Sequence, residues 1–211
     1  NKNGEAVDVT LTQDGKWQYK NVALLDFENG TGTCDNGNSD TNFSVRGTIP
    51  EGDYDGIRFT VGVPTKLNHY GIDGDDRVSP LDVIGMNWTW QGGHKHLRMD
   101  VKDWSIHLGT TGCELVDSNN EEMDCTKSFS NRPQYQFAAF DSTSNKVIFD
   151  YHKLIYNSDI ANSANVAKPG CMSGTSDAEC GDVFDHLGLN LATGQCRGGD
   201  CSTAQSWVRV E

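Results

Sequence analysis

Six of the seven cysteines fall into three pairs at short spacings, Cys113/Cys125, Cys171/Cys180 and Cys196/Cys201, with Cys34 left over. Each pair brackets a polar segment rich in Gly, Ser, Asp and Asn, with too few apolar residues to order itself. None has the two-residue spacing of a zinc knuckle and no histidines cluster beside them, so the expectation is three local disulfides and not a zinc site. Closing loops of these sizes contributes roughly 2 to 3 kcal/mol each by chain-entropy reasoning. Such bonds persist in an oxidising compartment, the periplasm or the exterior. Cys34 is left either free or joined to another chain.

Period-two alternation of apolar and polar residues recurs in Val7 to Leu11, Val22 to Phe27, Asp55 to Val61, Leu97 to Val101, Tyr135 to Phe140 and Lys146 to Tyr151. Runs of this kind, separated by Gly/Asn/Asp/Ser clusters, predict antiparallel strands with one wet face. Helical periodicity is weak except near Tyr151 to Ile160 and after Cys180, where Val183, Phe184 and Leu187 suit one or two amphipathic turns. The expected fold is therefore all-β, mainly an antiparallel β-sandwich, with a loop-rich, disulfide-stapled C-terminal region and one or two short helices. No internal repeat or long linker divides the chain, so residues 1–211 are expected to form one domain.

The 17 Lys and Arg stand against 30 Asp and Glu, a formal charge of −13. Nucleic acid and anionic lipid surfaces are repelled by such a chain, and cations are the expected partners. Nothing in it predicts membrane insertion, since no run of about 18 apolar residues occurs, and Asn1-Lys2-Asn3-Gly4 does not open a targeting segment.

Histidine and tryptophan supply the main chemical constellation. His69 follows Leu67-Asn68, Trp88 and Trp90 lie in Met86-Asn87-Trp88-Thr89-Trp90-Gln91, His94 and His96 follow, and His107 opens His107-Leu108-Gly109. Neutral imidazoles suit copper and zinc. The plainer alternative puts His94 and His96 on a strand facing solvent either side of Lys95, with His107 a packing residue.

In order along the chain stand Phe59-x-Val61-Gly62-Val63-Pro64, Leu67-Asn68-His69, Ser79-Pro80-Leu81, Met86-x-Trp88-x-Trp90-Gln91-x-Gly93, His107-Leu108-Gly109-x-x-Gly112-Cys113 and Pro169-Gly170-Cys171-Met172-Ser173-Gly174, followed by Cys180 and Leu187-Gly188-Leu189. From about residue 20 to the C-terminus this series resembles the MbnP family, the copper-binding, four-Cys-motif proteins of Gram-negative bacteria, and is similar to the methanotroph surface proteins MopE and CorA. The resemblance implies a copper protein of the periplasm or outer cell surface that acquires, stores or delivers the metal and is not an enzyme. It implies one copper ion held by two histidines, a water and a tryptophan oxidised to kynurenine by a di-haem peroxidase-like partner. The histidines map to His69 and His107, and the tryptophan to Trp88, with Trp90 the alternative. An indole N–H is a donor only, whereas opening its five-membered ring exposes an aryl amine with a lone pair. Where the family commonly has Gly-Tyr-Lys-Phe, this chain has Gly93-His94-Lys95-His96, and the Trp-x-His of the MopE-like relatives does not occur.

A second constellation places Asp73, Asp75, Ser79 and Asp82 at positions 3, 5, 9 and 12 of a loop counted from Gly71, the oxygen-donor spacing of a calcium loop. Gly71 and Asp76 depart from that pattern, and an acidic surface turn accounts for the same residues. The acidic tract Asp117 to Asp124, enclosed by Cys113 and Cys125, reads as a solvated hairpin tip. Two further functions stay open in the sequence. One is a copper-dependent oxidase or oxygenase, the other a calcium-stabilised carbohydrate-binding sandwich with Trp17, Trp88, Trp90 and Trp104 as stacking platforms.

Overall fold

The computed structural model describes residues 4–32, 34, 37–69, 78–88, 93–117, 122–164 and 166–211. The centre of the fold is a hairpin of β6 (Lys95–Val101) and β7 (Trp104–Gly109), reached after β1 (Thr10–Leu11), β2 (Gln18–Tyr19), β3 (Val22–Ala23), β4 (Gly47–Thr48) and β5 (Ile57–Thr60). Lys102 and Asp103 alone connect the two central strands, and Lys102 takes a left-handed φ of 55°, as a two-residue hairpin connection demands. On β7 the pleat separates two sets of side chains. Trp104, Ile106 and Leu108 are buried, so Ser105, His107 and Gly109 project from the opposite face.

The remaining strands are β8 (Glu114–Asp117), β9 (Glu122–Asp124), β10 (Gln134–Phe137), β11 (Val147–Phe149), β12 (Gly170–Cys171) and β13 (Val208–Val210). They form small sheets: β12–β7–β6 has three strands, and β1–β4, β2–β3, β5–β10, β8–β9 and β11–β13 have two each. Every pairing among the named strands is antiparallel except β12 with β7, where Gly170 lies opposite Ser105 and Cys171 opposite Ile106. The fold is all-β in class and mainly antiparallel. Four of the expected runs contain strands close to the predicted bounds, β5, β6, β10 and β11. The Val7 and Val22 runs supply only two residues each, and β7 and β13 were not among the runs expected.

The helices are short: α1 (Thr65–Asn68), α2 (Tyr151–Leu154), α3 (Cys180–Leu187) and α4 (Cys201–Ala204). The predicted amphipathic turn after Cys180 is α3, which buries Cys180, Val183, Phe184 and Leu187 and stops at Gly188 in the left-handed region. Glycine is favoured at such a stop because it lacks the Cβ that clashes there. These four side chains join Trp104, Ile106, Leu108, Tyr135 and Trp207 in one core cluster, each large apolar member contributing about 1.5 to 3 kcal/mol. A smaller cluster of Val63, Leu67 and Leu81 lies under α1.

The cysteine pairs join as expected, Cys113–Cys125, Cys171–Cys180 and Cys196–Cys201, with Cα atoms 4.4, 4.6 and 4.7 Å apart. Cys34 is a free thiol. Glu179 binds the stapled region to the core. Its carboxylate accepts hydrogen bonds from Trp104 Nε1 (2.7 Å), the Gly170 N–H (2.6 Å), the Ala164 N–H (2.6 Å) and the Ser163 hydroxyl. Partial burial raises its pKa, but these donors outweigh that effect and hold it below its ordinary value.

Candidate metal centre

His107 sits on the non-core face of β7, opposite Arg98. Its Nε2–H donates to Asp100 Oδ1 at 2.9 Å, while Arg98 Nε donates to the other carboxylate oxygen at 2.7 Å. Burial works against the Asp100 charge, yet hydrogen bonds from His107, Ser105 and Arg98 hold its carboxyl well below the usual carboxylate range. With Nε2 engaged, Nδ1 is left as the His107 nitrogen that can ligate, and no hydrogen bond reaches it among the described residues. A carboxylate behind a ligating imidazole is the common arrangement around protein-bound metals, since it fixes the tautomer and raises basicity.

Trp88 lies on the same face. Its six-membered ring rests on Gly109, where a Cβ would come within 2.7 Å of Cε3 and Cζ3, and the Trp88 backbone N–H donates to the Gly93 carbonyl at 2.9 Å. Because Gly109 is two residues from His107 along β7, the Trp88 indole lies over the same side of the strand from which the His107 imidazole projects. Trp90 falls outside the described residues.

His69 closes α1 and is half-buried. Its Nε2 lies 3.4 Å from Asn68 Nδ2 and 3.7 Å from Cys125 Sγ. His69 and His107 therefore have separate partners, and no hydrogen bond joins them among the described residues.

His94 and His96 are not exposed: their relative accessibilities are 2% and 8%. His94 clamps α1, its backbone N–H donating to Asn68 Oδ1 (3.1 Å) and its ring nitrogens lying 2.6 Å from the Asn68 carbonyl oxygen and 2.9 Å from that of Leu81. Gly93 allows this approach, since a Cβ there would lie 2.4 Å from Asn68. The departure from the family pattern at residue 94 thus anchors the turn that carries His69. His96 accepts from the Thr110 N–H at 3.1 Å. It is the irregular residue of β6, where the register shifts between Lys95 and Leu97. That bulge is why simple alternation misplaced both rings.

Trp104 is 1% exposed and donates to Glu179, so it offers no stacking surface. Asp73 and Asp75 of the candidate calcium loop lie outside the described residues. Asp82 is exposed and accepts from the Ser79 hydroxyl at 2.8 and 2.7 Å. Sequence reasoning missed Asp100, which its register identifies only once the β6–β7 hairpin is fixed.

A family model described as MbnP matches residues 6–173. The chain belongs to the MbnP family. That match begins before residue 20 and ends at Ser173, just short of α3. Among solved structures, MbnP from Methylosinus trichosporium is similar to this chain at a TM-score of 0.76 and 28% sequence identity, covering 99% of this chain and 81% of that one. Comparison with curated proteins finds no match. The part shared with the family model includes β6, β7, the three motif residues His69, Trp88 and His107, and both cysteines of the Cys113–Cys125 pair. No helix among the described residues is long and apolar enough to cross a membrane.

Proposed function

We propose that this MbnP-family chain is an exported, non-catalytic copper-binding protein that acquires, stores or delivers the metal. His69 and His107 are the imidazole ligands, and Trp88, once oxidised to kynurenine, supplies the third nitrogen. The observation that carries this reading is the face of β7: Asp100 engages Nε2 of His107 and leaves Nδ1 for a metal, while Gly109 makes room for Trp88 beside it. Copper bound there would be coordinated by nitrogen donors, a set suited to both of its common oxidation states. Asp100 keeps the His107 tautomer fixed, and the His94 clamp on Asn68 fixes the turn carrying His69. Oxidation of Trp88 requires a partner enzyme of the di-haem peroxidase class, and the compartment is the periplasm or outer surface of a Gram-negative bacterium.

The test compares protein made with and without that partner. Co-expressed protein should carry a Trp88 that has lost one carbon and gained one oxygen by mass, and should bind one copper tightly. His107→Ala and His69→Ala should each abolish tight binding, and Asp100→Asn should weaken it by about 10- to 100-fold. Unmodified protein that binds one copper as tightly as the modified form would overturn the role of Trp88. Tight binding that survives His107→Ala would overturn the site.

A further inference from the structure

We infer that His69, Cys113 and Cys125 form a second, redox-gated site for Cu(I), which comes into being when the Cys113–Cys125 disulfide is reduced. The ring of His69 and the two sulfurs present ligand atoms that all lie within 4.8 Å of one another. His69 Nε2 is 3.7 Å from Cys125 Sγ. Three nitrogen and sulfur donors placed at about 2.0 to 2.3 Å around one ion stand roughly 3.5 to 4 Å apart, so the group needs only small adjustments to close on a metal. His69 and Cys125 border an open cavity of about 420 Å³, lined by Thr65, His69, Met123, Cys125 and Thr126, with Cys113 buried behind Cys125. Its one thioether, Met123, adds a further soft donor at the rim. Two thiolates, an imidazole and a nearby thioether favour Cu(I) over harder ions.

In the disulfide the sulfurs are bonded to each other and are poor ligands. Reduction by an external dithiol breaks the S–S bond. Two electrons and two protons pass to Cys113 and Cys125, and the reductant leaves as its own disulfide. Cu(I) binding then displaces the two thiol protons. This bond is more accessible than Cys171–Cys180, and although Cys125 and Cys196 are both half-buried, it is Cys125 that lines the cavity. Cys171, Cys180 and Cys201 are fully buried in the main core, whereas Cys125 is half-buried and faces the cavity. The sulfurs also remain neighbours after reduction. β8 and β9 pair directly beside them, Glu114 opposite Asp124 and Leu115 opposite Met123, so the hairpin does not depend on the disulfide alone.

This site shares His69 with the nitrogen site above but does not rest on it. The experiment uses the full chain with Cys34→Ser to remove the free thiol. Protein is treated with dithiothreitol, alkylation and peptide mapping identify the opened bond, and Cu(I) is titrated anaerobically against bicinchoninate after desalting. Because both sites use His69 and are not filled together, the protein is made without the modifying partner, so that the nitrogen site lacks its third donor. There, reduction should create one tight equivalent of Cu(I), with a thiolate-to-copper absorption in the ultraviolet. Alkylating the reduced protein, or Cys113→Ser with Cys125→Ser, should remove that equivalent. His69→Ala should weaken it by more than about tenfold. His107→Ala should leave it in place, which separates failure of this site from failure of the other. Equal stoichiometry in oxidised and reduced protein, an added equivalent that survives alkylation, or opening of Cys171–Cys180 ahead of Cys113–Cys125 would each overturn the inference.

Discussion

His96 shows what one buried ring does to the behaviour of the molecule. Its Nε2 accepts from Thr110, and its Nδ1 lies buried with no hydrogen-bond partner among the described residues. Gly62 gives it room, since a Cβ there would come within 2.2 Å of Nδ1. Burial above all, then the positive Arg132 and the neighbouring His94, push its pKa down to about 3. An unfolded histidine titrates near 6.5. Between these values the unfolded chain holds the proton and the folded chain does not. The contribution is therefore complete above about pH 6.5 and is lost as pH falls toward 3, at up to about 1.4 kcal/mol per pH unit. Denaturant unfolding of wild type and His96→Gln at several pH values between 4 and 7 should show a shallower loss of stability in the variant. Parallel slopes would remove His96 as the source.

The join between β12 and β7 shows how little sequence can carry an element. Gly170 has φ of 106°, and a Cβ there would fall 1.9 Å from the Ser105 carbonyl oxygen. Gly170→Ala should therefore cost about 2 to 4 kcal/mol in urea unfolding by prising the stapled region off β7. Gly181→Ala, on α3 with open space around it, should be neutral or stabilising by up to about 1 kcal/mol. Equal effects would mean that the close approach does not matter. Period-two alternation reveals strands whose polar face is wet, which is why β5, β6, β10 and β11 are legible in the sequence. β12 is two residues long and rests on a backbone approach that no hydropathy pattern records. β7 also alternates, but its second face carries Ser, His and Gly and reads as a motif before it reads as a strand. In the site, His107 and Trp88 were legible as residue types, while Asp100 acquires meaning only from register. The burial of His94 depends on Asn68 and Leu81, which are distant in sequence.

Across the whole molecule, every disulfide joins cysteines that are neighbours in the cysteine order, at sequence separations of 12, 9 and 5. Six cysteines allow 15 pairings, but the chance that two thiols meet falls steeply with the length of chain between them. Reduced protein carrying Cys34→Ser, reoxidised in a glutathione buffer without an isomerase, should therefore reach the native pairing as its main product. A mixture dominated by scrambled isomers on peptide mapping would contradict this. The same separations made the pairing the most legible global feature of the sequence, because it needs no knowledge of the fold. Drawn as a covalent graph, the chain is a string bearing three small rings that neither overlap nor enclose one another. Opening one ring lengthens the string locally and leaves the other two closed, so the Cys113–Cys125 ring can be opened and reclosed as an independent module.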